Sequence, residues 1–171
     1  MTPVHAEVGK NTKNVAMHEK VVRGFSRQRE DIMGENQVRD IVKKIVDITD
    51  EDWQTFKTGS PGVYKFFTRI EQVGKHRIVA EVIESHYCAA GLKEGQKIVI
   101  EGGALVPERS TAPLCMRAIG PLTGFVNTIL EKIVDGQDPN DLVFNVAECL
   151  DPGLAAGGLG KVKFAVRVDS I

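Results

Sequence analysis

No run of roughly 18 apolar residues occurs anywhere in the 171-residue chain, so a membrane-spanning helix is not expected. The opening "MTPVHAEVGKNTKN" has no apolar stretch of the kind a secretory signal needs, which points to a cytoplasmic protein. Charge of one sign is also missing. Lysine and arginine total 22 against 23 acidic residues, and a formal net charge of -1 gives no pull toward nucleic acid or an anionic membrane. Cysteine is scarce and odd in number. Three residues cannot all be paired within one chain, and a reducing compartment keeps thiols free, so packing, metal binding and reactivity remain for them.

A hydrophobic content of 42% over this length supports one core of ordinary size. The first 14 residues are polar and read as an arm. In "VAMHEKVVRGFSRQREDIM", Met17, Val21, Phe25, Ile32 and Met33 fall near one helical stripe. "NQVRDIVKKIVDI" predicts an amphipathic helix with Asn36 as N-cap, carrying Val38, Ile41, Val42, Ile45 and Val46. "TDEDWQTFKTG" predicts a second, capped by Thr49 with Asp52 three residues on. The basic residues among these helices alternate with acidic ones, the pattern of a solvated face and not of a nucleic-acid reader. Docking on another subunit or on its own copy is the better use for such a unit, with Trp53 and Phe56 as candidate anchors, Trp53 being equally suited to cap the domain's own core.

"TGSPG" at residues 58–62 marks a boundary, dividing an N-terminal arm and helical segment (1–60) from a second part (61–171). There, "VYKFFTRIEQV" and "HRIVAEVIES" read as the two strands of a hairpin, and "QKIVIEGG" as a third strand. "GPLTGFVNTILEKIVDG" is the clearest helix, with Pro121 at its start and Gly136 past its end. "DLVFNVAEC" and "KVKFAVRV" supply two more strands. The expected fold is α+β: an N-terminal helical segment, then a mainly antiparallel sheet with one long inserted helix.

Cys88 ends one strand, Cys115 precedes the long helix in "APLCMR", and Cys149 ends another strand in "AECLDPG". Each lies at an element terminus, where residues that do chemistry tend to be held by a scaffold. If the three sulfurs converge, three kinds of chemistry are open. Cys88, Cys115 and Cys149 with His86 make a Cys3His zinc set, provided the strand continues through His86 and Cys88 so that both share a face. The three thiolates alone suit an iron–sulfur cluster. Cys115 as a nucleophile with His86 as base suits an enzyme. Burial as ordinary packing residues is the fourth possibility. The loop "GLAAGGLGK" is followed by a strand and not a helix, which disfavours phosphate binding and leaves a hairpin connection or lid. Asp151 is a candidate to orient His86 or to contact a metal-bound water, but Asp-Pro-Gly is also a common turn, and the turn is the preferred reading.

The ordering "HYCAAGLKEGQKIVIEGG", then "PLC", then "FNVAECLDP" resembles a family of small, uncharacterised bacterial and archaeal proteins with a Cys-x-x-Gly turn, a Leu-Cys-Pro element and a Cys-Pro-Asp-Pro element. Cys88 and Gly91, Leu114 and Cys115, and Cys149, Asp151 and Pro152 carry the match over approximately residues 64–168, with Met116 and Leu150 replacing two prolines. The resemblance implies that the three cysteines belong to one recurring arrangement. It implies no activity.

Overall fold

A computed structural model describes residues 32–171; the arm and the expected helical stripe up to residue 31 lie outside the described residues, while Ile32 and Met33 at its end are not helical. Helix α1 (Glu35–Ile45) begins one residue earlier than its cap was expected. Gly34 and not Asn36 is the N-cap, and Gln37 reaches back so that its Oε1 accepts the Gly34 N–H at 3.0 Å. Helix α2 (Asp50–Gly59) starts as its sequence predicts, the Thr49 hydroxyl accepting the Asp52 N–H at 3.1 Å. Trp53 is buried between these helices with Val38 and Val42, and Phe56, Tyr64 and Phe67 pack around them. The tryptophan therefore fills the protein's own helical core and is not presented as a docking anchor.

The strand expected over "VYKFFTRIEQV" is a helix pair, α3 (Pro61–Thr68) and α4 (Ile70–Gly74). Pro61 sits at the first helical position, where its missing N–H and fixed φ favour a helix start. Both faces of this segment are used: Tyr64 and Phe67 join the Trp53 cluster, while Phe66, Ile70 and Val73 pack on the sheet core. No hairpin is made across Gly74 and Lys75.

Strand β1 (His76–His86) pairs instead with β2 (Lys97–Glu101) and β5 (Lys161–Ser170). With β3 (Ala104–Leu105) and β4 (Val146–Glu148), the sheet order is β3-β2-β1-β5-β4 and every pairing is antiparallel. The β2–β3 turn at Gly102 and Gly103 has positive φ at both residues, the two-residue turn that matches strand twist. β4 is shorter than its sequence suggested. Val143 and Phe144, 90% and 80% exposed, lie ahead of it.

Between β3 and β4 the chain forms a short helix α5 (Met116–Ile119) and the long α6 (Leu122–Val134). Leu122, Ile129 and Ile133 of α6 cover one sheet face against Ile78, Ala80, Val82, Ile98, Phe164 and Val166. The alternation of "KVKFAVRV" explains this: Val162, Phe164, Val166 and Val168 turn inward, and Lys163 and Arg167 turn outward to ion-pair with Glu84 at 2.6 Å and Glu81 at 2.8 Å. Met33–Ile171 pack as one unit. Its smaller apolar cluster, drawn from residues 33–67, straddles the boundary expected at residue 60. Among the described residues, no helix is long and apolar enough to cross a membrane.

Candidate functional site

β1 and β4 both run antiparallel to β5, so they point the same way with β5 between them. Their C-terminal ends therefore meet at one edge of the fold, where β5 begins and where the loop before α5 passes. Cys88 follows β1 by two residues, Cys149 follows β4 directly, and Cys115 is the residue before α5. All three line one pocket of about 200 Å³, together with Arg117, Asp151 and small apolar groups that include Ala90, Ala118 and Val162. The three thiols are free, and each also rests partly against the main core.

Local backbone geometry aims each cysteine. Tyr87 has φ of +46°, a left-handed conformation that costs a non-glycine residue roughly 1–3 kcal/mol. That residue swings the chain out of the β1 line. The Gly91 N–H then donates to the Cys88 carbonyl at 3.0 Å and closes a turn. Cys149 is fixed by a reciprocal pair with Val162: its N–H donates to the Val162 carbonyl at 2.9 Å, and its Sγ accepts the Val162 N–H at 3.3 Å. The Cys115 carbonyl accepts the Ala118 and Ile119 N–H groups, both at 2.9 Å, which sets its side chain at the start of the turn.

His86 is placed elsewhere. A register shift between Val82 and Glu84 puts Glu84 opposite Lys163 and His86 opposite Lys161, on the outward sheet face. Its Nε2 lies 3.4 Å from Glu84 Oε1, and the ring is 62% exposed. The condition under which His86 and Cys88 share a face fails, because β1 stops at His86 and Tyr87 turns the backbone away from the strand direction. The structure thus brings Cys88, Cys115 and Cys149 together and leaves His86 outside their pocket. Among the described residues, no group of three or more His, Cys, Asp or Glu side chains is arranged to hold a single metal ion.

The chain matches no family model, no curated protein and no solved structure.

Asp151, already named beside Cys149, and Arg117, which the sequence reading does not single out, complete the pocket. Arg117, two positions after Cys115, extends to Asp151, with Nη1 3.5 Å from Oδ2. Asp151 Oδ1 accepts the Gly153 N–H at 3.1 Å and the Leu159 N–H at 2.9 Å. The Gly153 hydrogen bond foremost, then those of Leu159 and Gly160 and the Arg117 charge, hold its carboxyl below the usual aspartate range. Asp151 is therefore the centre of the turn its sequence predicted, and also a wall of the pocket. The recurrence of Arg and Asp two residues after Cys115 and Cys149 was the available signal.

Proposed function

We propose that Cys88, Cys115 and Cys149 hold an iron–sulfur cluster, and that the protein acts as a cluster-bearing accessory protein or as a small subunit of a larger enzyme. The observation that carries this reading is that the three free thiols belong to residues lining one and the same cleft of about 200 Å³. Three free thiols that share the lining of one cleft are within reach of a single multi-atom group. The space also exceeds what one ion fills.

The residues fit such a group. Thiolates are the usual cluster ligands, and hydrogen bonds to the sulfurs tune it; the Val162 N–H already donates to Cys149 Sγ. Arg117 supplies positive charge at the rim against the negative charge of the thiolates. When bound, the cluster supplies electron storage or an iron position free of protein ligand. A Cys3His zinc site and a cysteine nucleophile with a histidine base both lose support because His86 faces away. A reducing, cytoplasmic setting follows from this use of free thiols. The subunit role is supported by Tyr87, Met116 and Leu150, each next in sequence to a cysteine and each well exposed, since grouped apolar side chains at a surface mark interaction sites.

Iron and acid-labile sulfide analysis of protein purified without oxygen tests the reading, alongside Cys88→Ser, Cys115→Ser and Cys149→Ser. Stoichiometric iron and sulfide, lost in each variant, is the expected result. Three freely titrating thiols with no iron or sulfide above background would end it.

A further inference from the structure

We propose that Asp151 is the positioning residue of the cysteine pocket, a single carboxylate that ties together the chain segments carrying all three cysteines. The Cys149 corner is two residues away in sequence, and the Asp151 carbonyl lies 3.8 Å from Cys149 Sγ. The Cys88 corner is reached through the glycine loop. Asp151 Oδ1 gathers the Gly153 and Leu159 N–H groups, and Gly160 follows directly on Leu159. Gly160 in turn lies so close to β1's exit that a Cβ there would sit 2.6 Å from the Tyr87 carbonyl oxygen and 3.0 Å from the Cys88 Cα. The Cys115 corner is reached through Arg117, whose side chain pairs with Asp151 and whose carbonyl accepts the Leu150 N–H at 2.9 Å.

Gly158 shows how tightly the loop is drawn in, since a Cβ there would stand 2.1 Å from Asp151 Oδ1. The neutral amide of Asn keeps the shape of Asp but weakens the charge-assisted bonds to the loop and removes the attraction to Arg117. The tie itself is independent of what fills the pocket, while its use in cluster binding rests on the proposed function.

The experiment uses the full chain, metal-free, under native conditions. Iodoacetamide alkylation is followed at each cysteine by peptide mass, in the unaltered protein, Asp151→Asn and Arg117→Gln. Lys163→Gln, on the outward sheet face, is the control. In Asp151→Asn, alkylation of Cys88 and Cys149 should rise about tenfold, the increase in local opening that losing one charge-assisted hydrogen bond brings. Arg117→Gln, at a side chain 67% exposed and tolerant of change, should raise Cys115 and Cys149 alkylation about threefold. It decides the matter if Asp151→Asn does not fold. Rates equal to those of the unaltered protein in the folded variants, or equal rises in Lys163→Gln, overturn the proposal. Iron uptake by the same samples separates the two readings. Thiol rates that respond while the unaltered protein takes up no iron sustain the tie and remove the cluster; iron uptake with unresponsive rates does the reverse.

Discussion

Replacing Gly160 with alanine places a methyl carbon 2.6 Å from the Tyr87 carbonyl oxygen and 3.0 Å from both the Tyr87 carbonyl carbon and the Cys88 Cα. A carbon–oxygen contact normally relaxes to about 3.3 Å, so the two chain segments must separate by roughly 0.7 Å. All three obstructing atoms are backbone, and no rotamer change can relieve them. Gly160 does not need glycine's freedom of φ, so the whole cost is steric. Overpacking of this kind costs about 1–3 kcal/mol, which for a chain of this size lowers the melting temperature by about 2–12 °C. Thermal and urea unfolding at neutral pH measure it. Gly124→Ala is the companion, a glycine inside α6 with open space around its added Cβ. It should gain about 0.5–1 kcal/mol. A loss below about 0.5 kcal/mol for Gly160→Ala, the range of ordinary surface changes, would show that β5 does not press on the Cys88 turn.

Three further outcomes are expected. Thr49→Ala removes the hydroxyl that caps α2 and should cost about 0.5–2 kcal/mol in urea unfolding. Trp53→Ala empties the centre of the helical cluster and should cost about 3–5 kcal/mol, with urea midpoints as the readout; a cost under about 1 kcal/mol would mean that the cluster contributes little. Asp151 has a folded pKa held below its unfolded value near 3.9, so its contribution is full above that value and is lost as pH falls through the folded one. The stability gap between the unaltered protein and Asp151→Asn should therefore be constant from pH 7 to about 5 and narrow below about 4, and a gap unchanged at pH 3 counts against it.

Most of the sheet is legible because β1 and β2 are short runs rich in β-branched apolar residues and β5 alternates. "KVKFAVRV" puts every second residue inward, and the pattern survives intact in β5. Helix α6 was equally legible, since its apolar residues recur at helical spacing between a proline and a glycine. Residues 63–73 were misread for a physical reason. Two apolar clusters claim opposite faces of α3 and α4, so the polar face that identifies an amphipathic helix is missing, and a β-rich composition took its place. At the pocket, the position of Cys88, Cys115 and Cys149 at element ends is legible in the sequence, but their common lining depends on β1 and β4 pointing the same way, with β5 between them, which spacing does not give. His86 could not be placed from spacing, because one irregular register and one positive φ at Tyr87 decide its face. Arg117 stands alone in an uncharged stretch, with an offset from Cys115 equal to that of Asp151 from Cys149.

The loop after Asp151 is closed like a noose. The Gly158 N–H donates to the Gly153 carbonyl at 2.8 Å, and Asp151 holds Gly153 and Leu159 together, so residues 154–157 form a bight outside the knot. Chain length has different meanings on its two sides. An extra residue within 154–157 lengthens the bight and leaves the knot in place, which makes that turn a site for a tag or a spectroscopic label. An extra residue between Gly160 and Val162 slides β5 by one position and turns Val162 and Phe164 toward solvent. Length is therefore free to drift in the first stretch and is held fixed in the second.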